Sequence, residues 1–427
     1  MRSLKRYRVL ESAPVSTSAQ ESPIAPRVRQ LLSRAVTVNA TDIHIDPSTT
    51  GFRIRLRVDG AIQHHADLSQ EEGAELVNLV KVAGGFTPDR TVVAQEGRIY
   101  FEQEADGQGT EIRVTIAPTV NTEAVHLRLL APPAEVLTSG ELGLSAHSLE
   151  AVHDVLSANE GLVLIAGHTG AGKTMTLYSM VSTLNAESRM ICSIEDPVEY
   201  VLDGVRQMQV DAQNELWMSL GLRTLLRMDP DVMVVGEIRD ADSAVSAVRA
   251  AASGRLVLGT VHARDAALAV DMLEYYQVPP KLLGNTLELV ICQDLIRLLC
   301  PHCGRSRSLT EEERNAFDSV GMAPPEEVRT AGGCDTCFGF GYAGRTGVFE
   351  VSPISEHLGS RIGEGVRGPE LRRMVQDRNI QTLEQSALQA VAEGLTSMTE
   401  AMNVFRRSQN SPNVADTVYS GLPSSSQ

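Results

Sequence analysis

The chain has 427 residues, a formal net charge of −16, 42% hydrophobic residues and only 4% aromatic ones, with a single tryptophan, Trp217. That length allows two or three domains with sizeable cores. The charge argues against a non-specific binder of nucleic acid or anionic lipid, and the scarcity of aromatics argues against a base-stacking surface.

Residues 1–21 are rich in Ser, with one Pro, and are expected to be flexible. Their basic start, MRSLKRYRVLESAP, lacks the apolar centre of a signal peptide. No apolar run approaches the roughly 20 residues needed to span a bilayer, so a cytoplasmic protein without a transmembrane segment is expected. A helix over about Ala25–Ala35 opens a first domain, 22–130. Alternating segments follow at Asp42–Ile45, Phe52–Val58, Arg98–Phe101, Glu111–Ile116 and Ala124–Leu130. Phe52-Arg-Ile-Arg-Leu-Arg-Val58 alternates apolar and basic residues and then meets Asp59-Gly60, as a half-buried strand entering a turn does. The domain reads as small α+β with an antiparallel sheet.

Residues 131–147, beginning Ala131-Pro-Pro-Ala134, read as a linker. The period then changes. A helix over about Ser148–Ser157 precedes Gly161–Ala166, and short apolar strands at Met190–Ile194, Val232–Val235 and Leu256–Gly259 alternate with helices. This pattern predicts an α/β core over 148–299 with a doubly wound, mainly parallel sheet. A four-cysteine segment (300–347), a helical C-terminal part (348–406) and a Ser/Asn/Pro-rich disordered tail (407–427) complete the chain.

The chemistry concentrates in the core. Gly167, His168, Thr169, Gly170, Ala171, Gly172, Lys173 and Thr174 match G-x4-G-K-[ST] after an apolar strand and before a helix, the context of a P-loop. Glycines let backbone N–H groups wrap phosphates, Lys173 reaches the β- and γ-phosphates, and Thr174 ligates Mg²⁺. Asp229-Pro-Asp-Val-Met-Val-Val-Gly-Glu237 is a strand that ends in a carboxylate, and Glu237 is the leading candidate to activate water. A second acidic cluster, Glu195-Asp196-Pro197-Val198-Glu199, follows another strand. In a parallel sheet all strand C-termini share one edge, where ligands bind. Both clusters should therefore converge on the nucleotide, and His262, after the fourth strand, should sit there as a sensor of the γ-phosphate. Cys300-x2-Cys303 and Cys334-x2-Cys337 are thirty residues apart. In a reducing compartment they suggest a closed tetrahedral Zn²⁺ site. The alternative is two unrelated reduced turns.

These motifs resemble the secretion ATPases of type II secretion and type IV pilus assembly, over nearly everything from Ser22 to Phe405. Asp42-Ile-His-Ile-Asp46-Pro47 and Arg55-Leu-Arg57-Val-Asp59-Gly60 are similar to motifs of that family's second N-terminal domain. Glu195–Glu199 resembles its Asp box, Leu226–Asp240 its Walker B signature, Gly254–Ala266 its His box, and Cys334–Gly347 its zinc-bearing segment. The resemblance implies a RecA-like ATPase core, a PAS-like N-terminal domain, a homohexamer, and ATP at the junction of the two domains. It also implies arginines from the N-terminal domain facing the phosphates, at Arg113 and Arg128. Without it, those two would read as solvated outward charges. It implies ATP, Mg²⁺ and Zn²⁺ as ligands, and inner-membrane platform proteins as partners that hold the protein peripherally at the membrane. Three positions depart from the pattern. Arg255 replaces the first His of the His box, Ala263-Arg264 replaces Thr-Asn, and Asp294 replaces a frequent Arg before the zinc segment. The stretch before the first domain is short, where many assembly ATPases carry a further domain that docks on the membrane platform.

The expected function is an ATP-driven motor for protein secretion or pilus assembly. A nucleic-acid translocating or DNA-uptake motor and a non-hydrolysing scaffold are the alternatives. Charge and aromatic content weigh against the first, and intact Lys173, Glu199 and Glu237 against the second.

Overall fold

A computed structural model describes residues 25–87, 93–102, 109–130, 136–211, 214–378 and 380–410. The expected flexible N-terminus (1–21), the Ala131–Ala134 start of the linker, and the tail beyond residue 410 lie outside these. The chain divides between Ala134 and Glu135 into two compact units.

Unit 1 runs α1 (Ala25–Thr37), β1 (Ala40–Pro47), β2 (Phe52–Val58), β3 (Ala61–Leu68), α2 (Gln70–Ala83), β4 (Gln95–Glu102), β5 (Gly109–Pro118) and β6 (Glu123–Leu130). Among the described residues the strands form one sheet in the order β3-β2-β1-β6-β5-β4, antiparallel throughout. The alternation in β2 has its expected consequence: Phe52, Ile54, Leu56 and Val58 are buried. Arg53, Arg55 and Arg57 stand on the other face, paired across to Asp67, Asp46 and Asp42. Two elements were not expected from the sequence, β3 and α2. Edge strand β3 is largely polar, so it carries a weak alternation signal. Helix α2 starts at a capping box: the Ser69 hydroxyl accepts the Glu72 N–H, and the Glu72 carboxylate accepts the Ser69 N–H. The helix is tied down by Leu76, Val77 and Val80, and by buried Lys81, which pairs with Glu123 at 2.6 Å.

Unit 2 continues with α3 (Ala146–Ala158), β7 (Gly161–Ala166), α4 (Lys173–Leu184), β8 (Ile191–Glu195), β9 (Arg206–Gln209), α5 (Met218–Leu225), β10 (Val232–Val235), α6 (Ala241–Ala252) and β11 (Leu256–Val261). Then come α7 (Ala266–Tyr275), α8 (Pro280–Gly284), β12 (Leu287–Leu299), β13 (Arg305–Ser308), α9 (Glu311–Ser319), β14 (Glu327–Thr330) and β15 (Tyr342–Pro353). The last helices are α10 (Glu356–Gly363), α11 (Gly368–Gln376), α12 (Leu383–Ala392) and α13 (Met398–Asn410). The main sheet has the order β15-β12-β7-β11-β10-β8-β9. All its pairings are parallel except β12 with β15. Strands β7, β8, β10 and β11 are buried along their whole length, as expected when helices cover both faces of a parallel sheet.

Three differences from the sequence reading concern this unit. The expected linker is packed from residue 136 onward. Leu142 is buried in the core with Val152, Leu177 and Phe349, and its carbonyl accepts the Gly347 N–H at 3.0 Å. Residues 348–353, expected to open the helical part, are instead the end of β15, with Val348, Phe349 and Val351 buried. Gly344, Arg345 and Gly347 just before them mask the apolar alternation. Helix α13 also runs four residues into the expected tail.

Candidate functional site

The C-terminal ends of β7, β8, β10 and β11 lie side by side, because the four strands are in parallel register. Each feeds a loop that carries one of the sequence motifs. After β7 the chain turns through Gly170 (φ +84°) and Gly172 (φ +88°), a backbone region that glycine enters without penalty. At Gly167 a side chain would meet the Gln293 carbonyl oxygen at 2.7 Å. The loop closes on itself through Ala171 N–H to the His168 carbonyl, 3.1 Å, and Gln293 Nε2 holds the Ala171 carbonyl at 2.7 Å. Lys173 opens α4 and turns back over the loop, donating to the carbonyls of Gly167 (2.8 Å) and His168 (3.2 Å). Burial pushes its ammonium pKa down, against the pull of Glu237. Thr174 follows on the first turn of α4, where free N–H groups and the helix dipole favour an anion.

Glu237 follows β10 and is mostly buried, with 17% of its side chain exposed. It is in contact with His262 from the loop after β11 and ion-paired with Arg239 two residues on, whose Nε donates at 2.6 Å. The other ring nitrogen of His262 lies 3.4 Å from Lys173 Nζ. Lys173, His262, Glu237 and Arg239 thus form one contact chain across the mouth of the loop. The Arg239 pKa is raised by Glu237, with Asp196 adding to the pull.

The acidic cluster after β8 divides into an inner and an outer part. Glu195 is buried, and its carboxylate accepts from Tyr178 of α4, Ser193 Oγ (2.6 Å) and Gln207 Nε2 (3.1 Å). The Tyr178 hydroxyl in turn accepts the Glu199 N–H at 3.3 Å, and burial together with Glu195 pushes its pKa upward. Glu195 is therefore the internal anchor of this loop, while Asp196 and Glu199 are exposed. Sequence reasoning missed Tyr178, Ser193 and Gln207. They sit within regular elements, and no motif marks them.

Three departures noted in the sequence take distinct places. Arg255 precedes β11 and His262 follows it, so about 20 Å of strand separates them. Arg255 bonds Ser253 at 2.6 Å at the far edge of the sheet, so this change does not alter the loop edge. Arg264 lies beside Asp265, which caps α7 and pairs with Arg372 at 2.9 Å. Asp294 reaches the P-loop directly, through His168.

In unit 1, Arg113 of β5 and Arg128 of β6 stand directly opposite each other. Arg113 is exposed. Arg128 donates to Asp42 at 3.1 Å, as His126 does at 2.8 Å, and Arg57 lies 3.6 Å from the same carboxylate. Burial opposes ionisation of Asp42, but bonds from His126, Thr41 and Arg128 outweigh it and hold the carboxyl well below the usual range. His44 stacks on His126 with ring centroids 4.8 Å apart.

The cysteines come together. Cys300 and Cys303 follow β12, and Cys334 and Cys337 precede β15. Because β12 and β15 are neighbours, the intervening β13, α9 and β14 loop out and bring the second pair back to the first. The four Sγ atoms lie within 4.8 Å of one another, with measured pairs at 3.6, 3.7 and 3.8 Å. Tetrahedral Zn–S bonds of about 2.3 Å require sulfurs about 3.8 Å apart. Backbone N–H groups of Cys334 (3.4 Å) and Gly341 (3.1 Å) point at the Cys337 sulfur. Although burial opposes it, these bonds bring that thiol down to about 6, while burial and the neighbouring sulfurs push Cys303 up; the spacing of the four sulfurs is what fits a tetrahedral cation.

A family model described as "Type II/IV secretion system protein" matches residues 17–403. The chain belongs to this family. "Type II secretion system protein E" of Pseudomonas aeruginosa is 34% identical over 399 residues, 93% of this chain and 79% of that protein. The "Protein transport protein HofB homolog" of Escherichia coli is 36% identical, covering 93% and 85%. "Type II secretion system ATPase E" of Vibrio cholerae is 34% identical, covering 92% and 77%. Among solved structures, the Legionella pneumophila ATPase DotB superimposes with a TM-score of 0.63 at 20% identity, over 90% of this chain and 96% of that one. The pilus retraction motor PilT with bound ADP gives 0.55 at 24% identity, over 91% and 98%. These last two show the α/β fold. In the described residues no helix is long and apolar enough to cross a membrane.

Proposed function

We propose that this chain hydrolyses ATP as the motor of a protein-secretion or pilus-assembly machine. One observation carries the reading: a G-x4-G-K-T loop and a carboxylate, Glu237, share one sheet edge and are joined through His262. Lys173 exchanges its loop carbonyls for the β- and γ-phosphates of ATP. Mg²⁺, held by the Thr174 hydroxyl and the phosphates with carboxylates nearby, would neutralise developing charge on the transferred group. The γ-phosphate draws His262 toward itself and loosens its hold on Glu237, which then accepts a proton from the attacking water. Glu199 assists from the loop after β8. Arg113 and Arg128 of unit 1 supply positive charge to the phosphates, as the family resemblance implies.

Cys300, Cys303, Cys334 and Cys337 hold a structural Zn²⁺ that ties the looped-out segment to the main sheet. The protein acts as a homohexamer on the cytoplasmic side of the inner membrane, attached through platform proteins rather than by a span of its own. The relatives named above, a secretion ATPase among them, support this setting. A steady-state ATPase assay with and without DNA tests the reading. Magnesium-dependent hydrolysis that is indifferent to DNA supports it, and no turnover by the intact protein, alone or with its platform partners, refutes it.

A further inference from the structure

Strand β7 ends at Ala166, opposite Cys292 of β12. Strand β12 continues to Leu299, so Gln293 and Asp294 run alongside the nucleotide loop. Each grips it at a different point, Gln293 at the Ala171 carbonyl and Asp294 at the His168 ring. Asp294 is only 4% exposed. One oxygen accepts His168 Nε2 at 2.9 Å and its own neighbour's N–H, Leu295, at 2.7 Å. The other accepts Arg407 Nε of α13 at 2.7 Å. With two cationic donors and a backbone N–H, this buried carboxylate is satisfied only when ionised.

The His168 ring is equally constrained. Its Nε2 faces the Asp294 carboxylate, and its Nδ1 faces the Thr169 carbonyl at 2.7 Å. Neither partner can donate. A neutral imidazole has a single N–H and would leave one ring nitrogen aiming a lone pair at an oxygen, whereas the imidazolium donates to both. The other charges near the ring are Arg407 from α13 and, on the same loop, Lys173, whose ammonium sits on the His168 carbonyl.

We propose that Asp294 is a positioning residue that holds His168 as an imidazolium brace on the nucleotide loop, and that Arg407 tunes this brace so that ATP affinity depends on pH and on helix α13. This rests on the reading of Gly167–Thr174 as the ATP-binding loop. Arginine at position 294 would repel both His168 and Arg407, so the departure from the family pattern noted in the sequence creates the brace. The His168 pKa is raised above its ordinary 6.5, by Asp294 against burial, with Arg407 pulling it down. A phosphate chain beside the ring favours the protonated form, and linkage then requires the protonated form to bind ATP more tightly. Affinity is therefore greatest below the His168 pKa and falls as pH rises through it, at a midpoint above 6.5. Loss of Asp294 removes the anion and lowers that midpoint. Loss of Arg407 removes a cation and raises it. A merely structural contact would weaken binding at every pH and leave the midpoint in place.

The test uses the full chain with Mg²⁺ and a fluorescent ATP analogue, with affinity measured across neutral pH. Asp294→Asn should move the midpoint down by about one to three pH units, Arg407→Gln should move it up by less, and His168→Gln should remove it. Histidine ring NMR of the nucleotide-free protein follows the His168 titration directly, with His168→Gln assigning the signal, and should show the same opposite shifts. Shifts of the same sign in the two variants, or an inflection that survives His168→Gln, would overturn the proposal. If the ring titrations behave as stated but the wild-type chain binds no analogue at any pH, the nucleotide-loop reading fails while the brace stands, and the control over ATP is withdrawn. Asp294 is buried and its variant could be unstable, so Arg407→Gln, at a side chain 44% exposed, carries the test independently.

Discussion

Of the clusters in this molecule that combine a carboxylate, a histidine and an arginine, those around Asp42 and Glu237 stand in environments that give them different chemistry. In unit 1, Asp42 projects from the middle of a sheet, 6% exposed at the side chain, with His126, Arg128 and Arg57 around it. In unit 2, Glu237 stands on a loop just past a strand end, with His262 and Arg239 on it and Lys173 one contact away. Asp42 has donors from strands whose register is fixed by backbone pairing, so the backbones that carry its partners cannot move away without breaking the sheet. The partners of Glu237 come from loops, and under the proposed function one of them, His262, has a competing use at the γ-phosphate. The same residue types therefore make a permanent clasp in one place and an exchangeable one in the other. What differs is the stiffness of the backbone beneath them.

The largest expected effect is at the exchangeable cluster. Lys173→Ala should abolish hydrolysis and strongly weaken ATP binding, and a variant that still binds ATP tightly would remove the phosphate role of the loop. Glu237→Gln keeps the shape and removes the charge. Turnover should fall by roughly 10²-fold or more while ATP still binds, since general-base contributions run to about 10²–10⁴. An equal rise in KM with kcat intact would mean that Glu237 serves binding rather than chemistry.

Next in size is the metal. Elemental analysis of freshly purified protein should find one zinc per chain. Replacing Cys337 with Ser should lower the melting temperature before it changes nucleotide affinity, because structural zinc contributes directly to folding. Absence of zinc, together with free titration of all four thiols in the native protein, would rule the site out.

At the permanent clasp the expected cost is in stability. Asp42→Asn should destabilise unit 1 by about 1–3 kcal/mol, the range for leaving buried polar groups poorly satisfied. The single tryptophan, Trp217, belongs to unit 2. The circular-dichroism transition should therefore move to lower urea while the Trp217 fluorescence transition stays. A fluorescence shift of equal size would show the two units unfolding together. Because the folded-state pKa of Asp42 is depressed, its contribution is present above the ordinary carboxyl value of 3.8 and is lost as pH falls through the folded pKa. Wild-type stability should accordingly fall in acid below 3.8 more steeply than that of Asp42→Asn. The smallest effects should come from Arg113→Ala and Arg128→Ala, which should lower kcat with little change in ATP affinity. Unchanged turnover in both would confine these arginines to the sheet.

The sequence by itself determined a great deal here, because much of the fold is written in short-range patterns. Uniform apolar runs between glycine-rich and acidic loops specify a parallel sheet, and a parallel sheet places its strand ends on one edge. That is why Gly167–Thr174, Glu237 and His262 were legible as neighbours. The Ser69–Glu72 capping box was also legible, although it went unread beside a polar strand. What tertiary structure alone decided are the pairings between distant segments. The return of β15 beside β12 brings Cys334 and Cys337 to Cys300 and Cys303 and turns residues expected to be helical into strand. The burial of Glu195 against Tyr178 separates one carboxylate of an acidic run from its neighbours. The overrun of β12 past the end of β7 sets Asp294 between His168 and Arg407. Each depends on which strand lies beside which and how far it extends. Periods of 2 and 3.6 residues carry local propensity and the buried face of an element, but the identity of its neighbour is settled by long-range packing.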